Sequence, residues 1–133
     1  MPSRKDRRTS RIVLAVCLAG GALLTLIGIR YVLVPQSAAS MFGVPPRPAG
    51  FELHYAVGLR NIWLGLLAMA FAALREWRAL ALWFAAAVAV CFADGLIVAT
   101  STGSVPQVAF HLGCGLASAV LAVLCWRASR RSP

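Results

Sequence analysis

The sequence is poor in negative charge and in lysine: Asp6, Glu52, Glu76 and Asp94 are its only acidic residues and Lys5 its only lysine. Charged residues make up 13% of the 133-residue chain, about half the share usual in soluble domains. Several chemical signatures are missing as well. There is no G-x-x-x-x-G-K-[ST] phosphate loop, no G-x-S-x-G nucleophile elbow, no H-E-x-x-H zinc helix, and no C-x-x-C or C-x-x-C-H pair. These absences speak against P-loop nucleotide chemistry, serine hydrolysis by an elbow, zincin chemistry and covalent haem attachment, and no cofactor is expected. The four cysteines, Cys17, Cys91, Cys114 and Cys125, lie singly inside apolar stretches and read as small buried hydrophobes.

What the chain does have is apolar surface. Apolar residues are 60% of it, more than a water-soluble fold of this length can hide. They gather into four uncharged or nearly uncharged runs, at 12–34, 53–74, 79–100 and 107–126. Each matches the roughly 20 residues that a helix needs to cross about 30 Å of hydrocarbon. The expected fold is therefore all-α, a bundle of four transmembrane helices over 12–126, with basic tails at 1–11 and 127–133. The length of the first run and the presence of Arg30 favour a retained anchor over a cleaved signal segment. In the first connection Pro35 stands where a helix starts and Gly43 where one stops, which predicts a short interfacial helix over Pro35–Phe42. Pro45, Pro46 and Pro48 then prevent regular structure.

The formal charge of +9 raises the question of nucleic acid, and the positions of the charges answer it. The N-terminal tail, the second connection and the C-terminal tail carry five, two and three Lys or Arg, against Arg47 alone in the first connection and none in the third. That asymmetry places both termini in the cytoplasm and reads as membrane topology. No nucleic-acid motif accompanies it. A multi-pass protein of a cell membrane is expected, and the predominance of arginine over lysine suggests the cytoplasmic membrane of a bacterium. Trp77, Trp126, Tyr31 and Tyr55 lie near span ends, where amphipathic rings favour the headgroup layer.

Ionisable groups inside spans are costly, so their positions carry the most information. Arg30, Glu52, His54, Arg60, Asp94 and His111, with Asn61 beside them, all fall toward the outer side of the predicted spans. Arg60 and Asp94 stand at nearly equal distances from the turn between the second and third spans, so they share a depth and can meet as a planar guanidinium opposite a carboxylate. The turn between the third and fourth spans sets Asp94 between His111 and Cys114 in depth. This polar cluster reads either as a lock between helices or as a site for a small lipophilic ligand or a partner. Arg30 and Glu52 could form a second pair at the outer surface. Cys91 and Asp94 on one helix, with His111 and Cys114 on the next, form two i,i+3 pairs of metal-ligating types, a pattern that is weak where thiols are ordinary packing groups. Small residues at intervals of three or four form stripes: Gly21, Thr25 and Gly28; His54, Gly58, Asn61, Gly65 and Ala68; His111, Gly115, Ser118 and Ala122. Such stripes predict close helix packing.

Pro35, Ala38, Ala39, Phe42, Gly43 and Pro45, then Tyr55, Gly58, Arg60 and Gly65, then Asp94 and His111, together resemble a family of small four-helix bacterial membrane proteins known as a domain of unknown function, with a more distant likeness to DoxX-like proteins. Where that family often has an acidic residue after the arginine this chain has Asn61, which tells against a scheme needing two carboxylates there. The resemblance implies a membrane bundle and supplies no catalytic residues. On these grounds the leading expectation is a non-enzymatic membrane protein whose partners are the bilayer, a lipophilic small molecule, and a second copy of the chain or another membrane protein. The alternatives are an enzyme or redox accessory acting on a quinone-like substrate, with Asp94 or His111 moving protons, and a small oligomeric transporter.

Overall fold

The computed structural model describes residues 4–45 and 51–130, with side chains from Thr9 onward. Five helices follow one another: α1 (Arg4–Leu33), α2 (Pro35–Phe42), α3 (Glu52–Ala73), α4 (Trp77–Ser101) and α5 (Val105–Ser129). All but α2 are long and apolar enough to cross a membrane. The protein is thus an all-α membrane bundle of four spanning helices, as its apolar runs require. At both ends the helices extend into the basic flanks: α1 begins at Arg4 and α5 continues through Arg127.

The bundle is built from two close antiparallel pairs, α1 with α3 and α4 with α5, and contacts between the pairs are sparse. Glycine explains the first pair. A Cβ at Gly28 would lie 2.6 Å from the Gly58 carbonyl oxygen, and one at Gly21 would lie 2.8 Å from that of Gly65, so the two backbones touch at two levels. The predicted stripe on the second span is the face turned to α1: Gly58, Gly65, Ala68 and Ala72 are buried. In the second pair Gly95 lies opposite His111, and Gly115 lies opposite Cys91. Those contacts give the register expected from the turn between the two helices.

At the end that carries the termini the pairs close on one apolar core. Val13 and Cys17 of α1, Ala72 of α3, Trp77, Leu80, Ala81 and Phe84 of α4, and Cys125 of α5 form it, and the Cys17 and Cys125 sulfurs are 3.8 Å apart. Trp77 is only 7% exposed and belongs to this core, whereas Trp126 is 45% exposed. The α3–α4 turn is short because Arg75 takes a left-handed conformation (φ 58°) and Glu76 N–H returns to the Phe71 carbonyl at 2.8 Å.

At the other end α2 joins the pairs. Val34 leaves the helical region (φ −138°, ψ 64°), as expected of a residue before proline, and the chain starts a new helix at Pro35. Eight residues carry it about 12 Å sideways, from α1 toward α4 and α5. It ends on Gly43, left-handed at φ 102°, whose N–H caps the Ala39 carbonyl. The predicted short helix is thereby present with its predicted bounds; the expectations for Pro46, Arg47 and Pro48 lie outside the described residues.

Gly43 has two reasons to be glycine. Its φ is disfavoured for any residue with a side chain, and an added Cβ would lie 2.7 Å from Val98 Cγ1 and 2.9 Å from Gln107 Cβ. Gly103 is also left-handed (φ 65°), but a Cβ there meets nothing nearer than the Ala99 carbonyl at 3.9 Å. Gly43→Ala should therefore lower stability by about 2 to 4 kcal/mol, strain and overpacking together, and Gly103→Ala by about 1, strain alone. Thermal unfolding of the purified chain in one detergent measures both, and equal losses would contradict the close seat assigned to Gly43.

Candidate polar site between the helix pairs

Each spanning helix brings one polar side chain to the seam between the pairs near the α2 end. α1 supplies Tyr31, α3 Arg60, α4 Asp94 and α5 His111. Asp94 is within electrostatic reach of the other three. Over them lies Phe42, the last residue of α2. Its ring packs edge-on to Tyr31 (centroids 6.5 Å apart) and close to His111 (4.5 Å).

His111 is buried at 7% exposure because it anchors α2. Its Nε2 lies 3.1 Å from the Phe42 carbonyl oxygen, and since a carbonyl can only accept, Nε2 carries the proton. Thr102 Oγ1 donates to the next carbonyl, that of Gly43, at 2.6 Å. Two side chains from the α4–α5 pair thus satisfy carbonyls that the end of α2 leaves without helical partners.

The expected contact between Arg60 and Asp94 is absent. Among the described residues no ion pair within 4 Å is formed, and neither side chain makes a hydrogen bond. The depth is as expected, but the lateral assignment is not: the buried face of α3 belongs to α1. Arg60 follows Gly58 by two residues, about 200° around the helix, so it points away from α1. It shares a face with Phe71, which packs on the core at the far end. Arg60 is exposed and Asp94 is half-buried.

The other candidates disperse. Arg30 donates to Ser37 Oγ at 2.7 Å, and among the described residues it forms no pair with Glu52, which is exposed. His54 lies between Tyr31, tilted at 6.2 Å, and Phe51, edge-on at 5.7 Å, with Nδ1 buried and unpartnered among the described residues. Asn61 is half-buried on the stripe that faces α1. Cys91 lies within electrostatic reach of Cys114 and Asp94, yet among the described residues no three His, Cys, Asp or Glu side chains converge as metal ligands. One reason is that the His111 Nε2 is engaged by Phe42.

Sequence reasoning missed Tyr31 and Phe42. Tyr31 was expected in the headgroup layer, but it is 6% exposed because α2 folds over it. The break at Pro35 is the signal from which that covering could have been read.

The family described as domain of unknown function DUF4267 matches residues 21–125, which include all five of these side chains. The chain belongs to this family. Neither the curated proteins nor the solved structures contain a match. In this DUF4267 member the matched region begins at Gly21, where the α1 backbone meets that of α3, and ends at Cys125 in the core. It therefore takes in both helix pairs and the α2 bridge.

Proposed function

We propose that this protein is a non-enzymatic membrane protein that holds the polar head of a small lipophilic molecule at the seam, between Arg60 and Asp94. The carrying observation is that these two side chains lie within electrostatic reach of one another yet share no ion pair or hydrogen bond. Each charged group in a spanning helix costs about 2.5 to 3.5 kcal/mol on insertion scales, a cost that a direct pair would offset. A lock would close the pair; two charges left unjoined, with Tyr31 and Phe42 in the same cluster, suit a third group. The head that fits both accepts a hydrogen bond from the guanidinium and donates one to the carboxylate, as a hydroxyl can, while the apolar body lies in the bilayer. Thermal stability of the purified chain should rise with such an amphiphile in a panel of fatty alcohols, fatty amines, fatty acids and quinols. No response to any of them would refute the reading.

The second reading, action on a quinone, is favoured by the nearness of Asp94 to Tyr31 and His111, three groups able to exchange protons. A selective response to quinol within that panel would support it over the first.

For orientation we infer cytoplasmic termini from the Lys and Arg asymmetry, and the predominance of arginine over lysine supports the cytoplasmic membrane of a bacterial cell. Reporters active only in the cytoplasm should work when fused at the C-terminus or after Glu76 and fail after Arg47. Activity after Arg47 would invert the topology.

A further inference from the structure

The α4–α5 pair carries a groove on its lipid-facing side, about 300 Å³ in volume, at the end opposite the polar site. Its floor is made by Ala81, Ala85 and Ala122, whose small side chains leave a channel, and its mouth is formed by Trp126 and Arg127. The residues of the floor cover about 6 to 8 Å of bilayer depth, room for the first part of an acyl chain. The mouth is basic on both helices. In the antiparallel register set by Cys91 opposite Gly115, Arg78 of α4 falls level with residue 128 of α5, next to Arg127. Arg78 is one turn before Leu82, another wall of the groove, and is exposed. Arg130 adds a third guanidinium, 5.8 Å from the centre of the Trp126 ring. No acidic residue lies on either helix at this end; the nearest in sequence, Glu76, precedes α4 and is exposed.

We propose that this groove is a binding site for an anionic phospholipid, one acyl chain lying on the alanine floor and the phosphate and anionic headgroup held by Arg78 and Arg127. The chemistry divides cleanly between the parts. The alanines accept a methylene chain of any lipid, Trp126 suits the headgroup boundary, and the paired guanidiniums select negative charge. This site is separate from the polar seam and does not depend on its function.

The test uses the full chain in a non-ionic detergent, with phosphatidylglycerol and phosphatidylcholine of identical acyl chains supplied together and bound lipid counted by native mass spectrometry. The wild type should retain phosphatidylglycerol about tenfold more strongly. Arg78→Gln with Arg127→Gln should lower its retention by about tenfold, which erases that preference, and leave phosphatidylcholine unchanged. Ala85→Phe fills the groove from an exposed position and should reduce retention with both arginines intact. Glycerol phosphate, which has the anion without the chains, should not displace the lipid at equal concentration. Equal retention of the two lipids by the wild type, an undiminished preference in the arginine variant, an unaffected Ala85→Phe chain, or displacement by glycerol phosphate would each overturn the proposal.

Discussion

Gly65→Val should destabilise this protein by at least about 3 kcal/mol, at the top of the range for overpacked sites, because two of the three nearest atoms are backbone and cannot move aside. A Cβ at Gly65 would lie 2.5 Å from the Gly21 carbonyl oxygen and 2.7 Å from the Thr25 amide nitrogen, and would also press on Thr25 Oγ1. Backbone atoms of α1 cannot rotate away, so the helices must part. Parting them would dismantle the contact at Gly28 and Gly58, where the clearances are as small. In a bilayer, close packing of this kind is a principal attraction between helices, since lipid is as apolar as the side chains it replaces. Gly20 and Gly113 supply the contrast, because a Cβ at either meets nothing within 4 Å. Gly20→Ala and Gly113→Ala should be neutral or stabilise by up to about 1 kcal/mol through helix propensity. Thermal unfolding in one detergent would compare all three, and a loss at Gly20 equal to that at Gly65 would remove the basis for a close α1–α3 pair.

Much of this was legible before any coordinates. Four apolar runs gave four spans, Pro35 and Gly43 bounded α2, and the stripe through Gly58, Gly65 and Ala68 identified the face of α3 that packs. The turn between α4 and α5 set Asp94 between His111 and Cys114 in depth, the register that Gly95 opposite His111 and Gly115 opposite Cys91 bear out. What the sequence left open was azimuth. A short turn fixes how deep two residues lie, and it does not say which face each helix gives to which neighbour. Arg60 and Asp94 were therefore matched in depth and yet not joined, since α3 spends its glycine face on α1 and turns Arg60 to the seam. Trp77 was misplaced for a related reason: nearness to a span end is a statement about depth, and its burial depends on α1 and α5 closing over it. Tyr31 needed knowledge of where α2 goes after Pro35, which is a tertiary fact.

The second large effect concerns the seam. With no direct partner to lose, Asp94→Asn and Arg60→Gln should leave the stability of the ligand-free chain unchanged or slightly raised, because each removes a charge from a poorly solvated place. A buried lock behaves in the opposite way, losing about 3 to 5 kcal/mol when one partner is neutralised. Binding should respond in the other direction. Loss of a charge-assisted hydrogen bond to the head group, at about 1.5 to 3 kcal/mol, corresponds to a weakening of roughly ten- to a hundredfold.

The measurement that separates these accounts is a double-mutant cycle of Arg60→Gln and Asp94→Asn, read by thermal unfolding with and without the most stabilising amphiphile of the panel. The expected result is a coupling energy below about 0.5 kcal/mol without ligand, with the ligand-dependent rise lost in either single variant. Large single losses recovered in the double variant would mean that the two residues lock the helices, and an undiminished ligand response in Asp94→Asn would mean that the seam does not hold the head group.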